Sequence, residues 1–332
     1  MFGAARQKER ERLMESGRRR LAAIDIGTVT TRLMVADVSS AGVEEIVRHS
    51  RITHLGEGWT STGRLSEAAI DRVAACVATF AEEARALGAH ELVAVATSAA
   101  RDAANGADFL DRLGAAGVNP EIISGSREAY LTFLGATFEL GGENTLVLDV
   151  GGGSTELVLG SRDEDGSATI DSSRSIDVGS RRVTELFLHA DPPTRAELEA
   201  AREHVTTELR PSFDALRTKP RDMIAVAGAA TSLVAIDLAL DPYDPARVHG
   251  SRLGAHTIAD IREELSALTL EKRRQVKGLE PGRAGVIVAG ALIIETATAL
   301  AGLDSTLVSE QDILYGMVLD RFGGTRQAVS SK

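Results

Sequence analysis

The sequence predicts an α/β protein built from two similar halves. Its 332 residues correspond to about two domains at the usual domain size. Apolar strand patterns alternate with helix patterns along the chain, which is typical of the α/β class. One strand–turn–strand pattern also occurs twice, and the second half begins where this pattern restarts, near Gly141.

The more conspicuous copy of this pattern is NTLVLDVGGGSTELVLG, at Asn144 to Gly160. Two short apolar runs flank the turn, and the glycines Gly151 to Gly153 permit a tight hairpin. Asp149 ends the first run, and Glu156 begins the second. Taken alone, this segment fits a plain hairpin with an acidic turn as well as it fits a functional site.

The other copy is LAAIDIGTVTTRLMVADV, at Leu21 to Val38. Asp25 aligns with Asp149, and Arg32 stands where the second copy has Glu156. Backbone N–H groups in such turns form anion-binding concavities, and carboxylates near bound phosphates commonly hold a divalent cation. Two such turns facing one cleft would make a site for phosphate and metal.

The remaining elements follow in order. Ser66 is the predicted N-cap of a helix that ends at Leu87 and Gly88. ELVAVATSAARDA and EIISGSREAY each predict a strand, a turn and a helix, with the second strand over 121–124 and Ser126 as the N-cap that follows it. TRAE, at Thr194 to Glu197, predicts a capping box and a helix to about Arg210. MIAVAGAATSLVAI predicts another strand and helix, and DILYGMVLDRF predicts the last helix.

Composition excludes several classes of function. The net charge of −11 argues against broad nucleic-acid binding. The single cysteine, Cys76, excludes an internal disulfide and fits a reducing cytoplasm. No targeting segment is evident, and the basic residues 1–20 are interpreted as a solvated extension. Glu295 interrupts the long apolar run from Val286, so we expect a buried helix there rather than a membrane span.

Five polar turns follow predicted strands. In open α/β sheets, ligands bind at the carboxyl ends of the strands, so we expect these turns to converge on one site. They are Gly27–Thr31, Thr97–Arg101, Gly125–Glu128, Gly151–Glu156 and Gly228–Thr231. The cations Lys272 to Lys277 are favoured as solvated surface residues.

Several motifs together resemble one family. DIGTVTTRLMV, ATSAARDAANGADFL, EIISGSREAY, LDVGGGSTELVLG and AVAGAAT are similar in order and spacing to the Ppx/GppA exopolyphosphatase and pentaphosphate phosphohydrolase family, over about residues 21–320. The resemblance implies two ribonuclease-H-like domains of the actin-like ATPase superfamily around a cleft. It places them at 21–137 and 138–311, with the helix at 312–322 as a candidate to pack back on the first domain.

The resemblance also implies roles for individual residues. Glu128 would be the catalytic base, and Arg101 and Arg32 would neutralise charge on the phosphoryl group. Asp149 and Glu156, assisted by Asp25, would hold Mg²⁺ or another divalent cation. The phosphate-binding positions would be Gly27, Thr28, Gly151, Gly152, Gly153, Ser154, Gly228 and Thr231.

The implied reaction is hydrolysis of the terminal phosphoanhydride of polyphosphate. One alternative is a phosphohydrolase that acts on guanosine pentaphosphate (pppGpp); others are a kinase of the same superfamily and a sensor that binds without turnover. A cytoplasmic homodimer with no nucleic-acid or membrane partner is expected. Two departures from the family pattern are Val29, where many relatives have Asn, and DILYG at Asp312 to Gly316, where many have GLREG.

Overall fold

The structure, a computed structural model, describes residues 17–39, 42–163 and 167–323. Within these ranges the strands form two separate mixed sheets that are covered by helices. The predicted α/β class is therefore confirmed. Of the predicted basic extension, residues 1–16 lie outside the described residues, and the first strand already begins at Arg19.

The first sheet has the strand order β3-β2-β1-β4-β5. We call this sheet and the helices packed on it the first lobe. Its strands are β1 (Arg19–Ile26), β2 (Thr30–Ser39), β3 (Gly42–Ile52), β4 (Glu91–Ala96) and β5 (Glu121–Ile122). Its helices are α1 (Trp59–Thr62), α2 (Glu67–Ala86), α3 (Ser98–Asp102) and α4 (Gly106–Ala115), and α5 (Gly125–Leu140) follows.

The second sheet has the order β10-β11-β9-β6-β7-β8 and defines the second lobe. Its first strands are β6 (Thr145–Val150), β7 (Thr155–Arg162) and β8 (Ala168–Ile176), followed by α6 (Ser180–Phe187) and α7 (Arg195–Asp214). Next come β9 (Asp222–Val226), α8 (Ala227–Asp237), α9 (Pro245–Val248), β10 (Arg252–Gly254) and α10 (Ala255–Ala267). The last elements are α11 (Leu270–Arg273), a 3₁₀ turn (Pro281–Arg283), α12 (Ile287–Ala301), β11 (Ser305–Val308) and α13 (Ile313–Gly323).

The two copies of the strand–turn–strand pattern form the same backbone hydrogen bonds. In the β1–β2 hairpin Gly27 N donates to Thr30 O over 3.0 Å, and in the β6–β7 hairpin Gly151 N donates to Ser154 O over 3.0 Å. Both hairpins are antiparallel, and in each the first strand also pairs in parallel with a later strand of its own sheet. The two turns are therefore one backbone structure built twice.

Most predicted helix starts agree with the structure. The Ser66 side chain accepts from Ala69 N, and Thr194 and Glu197 form both bonds of a capping box. One start differs, because α5 is capped by Ser124 rather than Ser126. The predicted strand over 121–124 is correspondingly shorter and ends at Ile122. The earlier start gives α5 its cap and still leaves Glu128 in the first turn of the helix.

Helix α5 joins the lobes, and α13 packs on α5 and on the first sheet. One face of α5 packs on the second sheet through Ala129 and Phe133, and another packs on α13 and the first sheet through Leu131. The backbones of α5 and α13 come so close that a Cβ on Gly135 would lie 1.8 Å from a backbone oxygen of the segment before α13. The predicted boundary at 137/138 falls inside α5, and the division into domains stays an interpretation.

The apolar helix α12 is buried, as predicted. Its one carboxylate, Glu295, is matched by Arg202 of α7 at 2.9 Å and by Arg262 of α10 at 2.8 Å. Across the part of the chain that the structure describes, no helix is both long and apolar enough to cross a membrane.

Candidate active site

A cavity of about 100 Å³ lies between the two lobes. All five predicted polar turns contribute to its lining, which includes Thr28, Ser98, Glu128, Gly152 and Gly228. The expectation that these turns converge is therefore confirmed. The convergence follows from the fold, because each turn stands at the carboxyl end of a strand and the two sheets present those ends to each other.

In the first turn the acidic residue is paired with a cation. Asp25 ends β1 and lies directly opposite Arg32 of β2, which donates to it over 2.6 Å and 3.0 Å. Arg32 also pairs with Asp312, which begins the DILYG stretch, and Asp312 contacts Arg48 as well. Burial opposes the charged form of Arg32, but the carboxylates of Asp312, Asp25 and Asp149 together raise its pKa. Arg32 is thus fixed as a buried cation at the cavity wall.

In the second turn the same cross-strand position holds two acids. Asp149 and Glu156 are directly opposite each other, are 7% and 1% exposed, and have no salt-bridge partner within the described ranges. Thr132 donates to Asp149 over 3.1 Å, and Ser175 donates to Glu156 over 2.7 Å. Burial raises the pKa of Asp149 to about 6, and burial together with the Asp149 charge raises that of Glu156 to about 8.

Glu128 approaches the cavity from α5. Its side chain is largely buried and receives a 3.2 Å hydrogen bond from Arg101, which also donates to the Ile123 carbonyl over 3.3 Å. Burial and the nearby charges of Glu156 and Asp149 raise the pKa of Glu128 well above its usual range, and Arg101 opposes this shift. A carboxylate with a raised proton affinity and a fixed orientation is suited to general-base chemistry.

The backbone of the two turns offers fewer free donors than we expected. The amides of Gly27 and Gly151 are used inside their own turns. These two N–H groups are therefore engaged within the turns rather than free for a phosphate. Phosphate binding at Gly27 and Gly151 stays a prediction. In the described residues no such bond engages the amides of Thr28, Gly152 and Gly153.

The start of α6 fixes the direction of the second turn. Ser180 N donates to Gly151 O over 2.8 Å, and Arg181 N donates to Gly152 O over 2.9 Å. In a trans peptide the N–H points away from the C=O, so anchoring these carbonyls directs the amides of Gly152 and Gly153 to the opposite side, away from α6. Gly179 permits this contact, because a Cβ there would lie 2.4 Å from Gly152 O.

Ser98 supplies a hydroxyl to the same wall. Its Oγ is buried and has no hydrogen-bond partner within the described ranges. Buried hydroxyls are normally hydrogen-bonded, so an unpaired one facing a cavity indicates a place for a polar ligand. The sequence placed Ser98 in a polar turn but did not single it out.

The fifth turn opens toward a larger cavity of about 1160 Å³. Gly228 lines both cavities, whereas Thr231 lines only the larger one. Arg283, from the 3₁₀ turn, lies over Gly228, and a Cβ on that glycine would overlap its guanidinium. Arg283 and Arg32 also line both cavities, so cations stand where the two spaces meet.

The acidic pair fits a hard divalent cation. In the described parts of the chain no group of three or more His, Cys, Asp or Glu side chains is already assembled as a metal site. Mg²⁺ commonly takes one or two carboxylates and completes its shell with water and substrate phosphate oxygens. Asp149 and Glu156 supply two such carboxylates, whereas Asp25 is already held by Arg32.

Sequence reasoning missed residues that approach the site from distant segments. Asp312 and Arg283 are far from both turns in the chain, and only the fold brings them near. Thr132 is one turn beyond Glu128 on α5, so helical spacing from Glu128 was a signal that could have found it.

Comparisons with known proteins agree with this geometry. The profile of the Ppx/GppA phosphatase family matches residues 34–321. Exopolyphosphatase 2 of Mycobacterium tuberculosis is 39% identical over 92% of this chain and 99% of its own length. Exopolyphosphatase 1 of the same organism is 30% identical over 90% of this chain and 87% of its own.

Solved structures give the same result. The crystal structure of an exopolyphosphatase-like protein matches with a TM-score of 0.86 and 33% identity, covering 92% of this chain and 98% of its own. The Aquifex aeolicus member of the Ppx/GppA family matches with a TM-score of 0.78 and 28% identity over 94% of this chain and 100% of its own. The two lobes around a cleft thus have the actin-like ATPase fold, and the chain belongs to the Ppx/GppA phosphatase family.

Proposed function

We propose that the protein is an exopolyphosphatase, which hydrolyses the terminal phosphoanhydride of polyphosphate and releases orthophosphate. The observation that carries this proposal is the position of Glu128. It is buried at the cavity between the two glycine turns and oriented by Arg101. The names of the similar mycobacterial proteins support the same activity.

The terminal phosphoryl group would lie between the turns. The free amides of Thr28, Gly152 and Gly153 and the Ser98 hydroxyl would bind its oxygens. Positioned donors of this kind stabilise the charge that develops in the transition state without reorganising. Arg32 would face the phosphate with a charge that its carboxylate partners hold in place.

Glu128 would orient the attacking water and accept its proton. In-line attack then breaks the bond to the next phosphate, and the shortened chain leaves toward the larger cavity. Arg101 donates to Glu128 through one nitrogen and would balance negative charge beside it. Positioning and charge neutralisation supply most of the catalysis in such a reaction.

Asp149 and Glu156 would hold Mg²⁺ or another divalent cation. When bound, the cation supplies positive charge to the phosphate oxygens. Two buried carboxylates side by side, without a salt-bridge partner in the described ranges, are what such an ion would stabilise.

A second candidate substrate is pppGpp. The larger cavity has room for an organic group, and the exposed ring of Tyr243 offers a face for stacking. Its wall also carries equal numbers of cationic and acidic side chains, whereas a long polyanion favours a net positive channel. The cations are Arg32, Arg48, Arg274, Lys277 and Arg283, and the acids are Glu45, Asp241, Glu280, Glu310 and Asp312.

Phosphate release from long-chain polyphosphate and from pppGpp, measured in parallel with and without Mg²⁺, tests both. Release from polyphosphate that needs the metal and is lost in Glu128→Gln supports the exopolyphosphatase. Release from pppGpp alone moves the protein to the second candidate. No release from either, with binding retained, favours a sensor. The homodimer and the cytoplasmic location stay predictions, and light scattering of the full chain tests the first.

A further inference from the structure

Helix α6 reaches across the cleft to the first lobe. Glu185 accepts a hydrogen bond from Gly58 N over 3.2 Å, and Arg181 contacts His54. The guanidinium of Arg182 lies 4.5 Å from the ring centre of Trp59, which is itself 5% exposed. One short helix of the second lobe therefore holds three neighbouring points of the first lobe.

Arg182 makes more of these contacts than its neighbours do. Its Nε donates to Gly153 O over 2.8 Å, at the far end of the glycine turn. Its Nη2 lies 3.4 Å from one carboxylate oxygen of Asp102 in the first lobe and 3.3 Å from the exposed Asp177 of its own lobe. The Arg182 side chain is only 17% exposed, so its position is defined by these partners.

Asp102 connects Arg182 to the proposed catalytic base. The other carboxylate oxygen of Asp102 accepts from Arg101 Nε over 3.3 Å, and Arg101 in turn donates to Glu128 over 3.2 Å. The Asp102 carboxylate is thus shared between two guanidinium groups, one from each lobe. If Arg182 were removed, both oxygens of Asp102 would be free to form a two-point pair with Arg101 and draw it away from Glu128.

We propose that Arg182 is a positioning residue for the hydrolysis. It fixes the Gly153 end of the second glycine turn, and it shares the Asp102 carboxylate with Arg101. Because Asp102 is shared, Arg101 keeps its hydrogen bond to Glu128. The inference rests on the proposed function. It adds a link between the lobes: the catalytic arginine of the first lobe is held in place only when α6 of the second lobe lies against Trp59.

Kinetics of four variants test the link: Arg182→Met, Asp102→Asn, the double variant of these two, and Arg182→Lys. In Arg182→Met we expect kcat to fall about tenfold with a smaller change in KM, because misplacing a catalytic group affects the transition state more than substrate binding. Adding Asp102→Asn to Arg182→Met should restore part of the lost kcat, because the unbalanced carboxylate that draws Arg101 away is then gone. Arg182→Lys keeps the charge without the planar fork and should fall between wild type and Arg182→Met.

The only tryptophan in the chain gives an independent readout. Trp59 emission reports directly on the guanidinium above its ring, so Arg182→Met should shift it and should weaken its response to Mg²⁺ with tripolyphosphate. Arg195→Met is the matched control, because Arg195 is 93% exposed on α7 and pairs with Glu199 of the same helix. Thermal unfolding of every variant checks that the fold is kept.

Three results would overturn the proposal. One is a kcat of Arg182→Met within about twofold of wild type. Another is a double variant whose loss equals the product of the two single losses, which would mean that Arg182 and Asp102 act independently. If the wild type releases no phosphate at all, the proposed function and the role in hydrolysis fail together, and Trp59 emission then tests the link between the lobes by itself. A tripolyphosphate response that is the same in wild type and Arg182→Met rejects the link through Arg182, and a response lost in the variant supports that link.

Discussion

The first and second glycine turns share a backbone and differ in charge. Each closes with the same 3.0 Å amide-to-carbonyl bond, and each places an aspartate opposite the residue seven positions later. In the first turn that residue is Arg32, and in the second it is Glu156. The repeat thus fixes where the backbone and side chains point, whereas one cross-strand position decides whether the turn pairs its aspartate with a cation or with a second carboxylate.

The largest expected effect comes from replacing Glu128, the carboxylate that faces both turns. Glu128→Gln keeps the size and one acceptor but cannot accept the proton of water, so kcat should fall about 10³-fold. Phosphate release at saturating substrate measures it. Glu121→Gln, an exposed glutamate just before the same helix, is the matched control and should keep wild-type turnover. A Glu128→Gln enzyme that retains a tenth of the activity or more would show that the base lies elsewhere.

The next two variants replace an acid by its amide in each turn, so that the stability of the two turns can be compared. Asp25→Asn removes a charge that Arg32 needs, so the free energy of unfolding should fall by about 2 kcal/mol. Glu156→Gln instead relieves a buried pair of like charges and can still accept from Ser175, so the metal-free protein should lose no stability.

The dependence of activity on Mg²⁺ should show the reverse order, with the larger loss in Glu156→Gln, the variant that keeps its stability. Glu156→Gln should lose its response to Mg²⁺ although it is folded, and Asp149→Asn should do the same. Urea unfolding in EDTA and turnover across a Mg²⁺ titration measure the two effects. Equal destabilisation of Asp25→Asn and Glu156→Gln would remove the contrast between the turns.

The smallest expected effect comes from a substitution outside both turns, which shows whether a loss of stability by itself lowers turnover. Thr194→Ala removes the N-cap of α7, which should cost about 1 kcal/mol of stability. Turnover at room temperature should not change, because α7 does not line the cavity. If turnover fell with stability in this variant, a loss of activity in the turn variants could not be assigned to the site.

The sequence predicted what depends on neighbours in the chain. The cap at Ser66, the capping box at Thr194 and the alignment of Asp25 with Asp149 are all local patterns, and each agrees with the structure. The register of each hairpin follows from its turn, because a tight turn between two strands fixes which residues pair across them.

Contacts between distant segments could not be predicted in this way. Nothing local to Asp312 marks it as a partner of Arg32, since only the packing of α13 on the first lobe brings the two together. The same holds for Arg283 above Gly228. The occupied amides of Gly27 and Gly151 are a different case, because a glycine-rich pattern indicates a turn but not which of its N–H groups the turn itself consumes.

The packing of α13 on the first lobe has a consequence for synthesis of the protein. The apolar face formed by Leu21 and Met34 is covered by Leu314 and Met317, and the neighbouring Arg32 meets its partner Asp312 only 280 positions later in the chain. At typical rates of translation that delay is roughly 15 to 60 seconds. Once Ile122 has been made, for roughly the last 10 to 40 seconds of that delay, the first lobe is complete in its strands but open on one face. Chaperones that bind apolar surface should therefore find it on the ribosome. Nascent chains stalled just before Asp312 should be cut in the first lobe by a protease that spares chains stalled in a C-terminal extension added after Lys332. Equal resistance of the two would contradict this order of assembly.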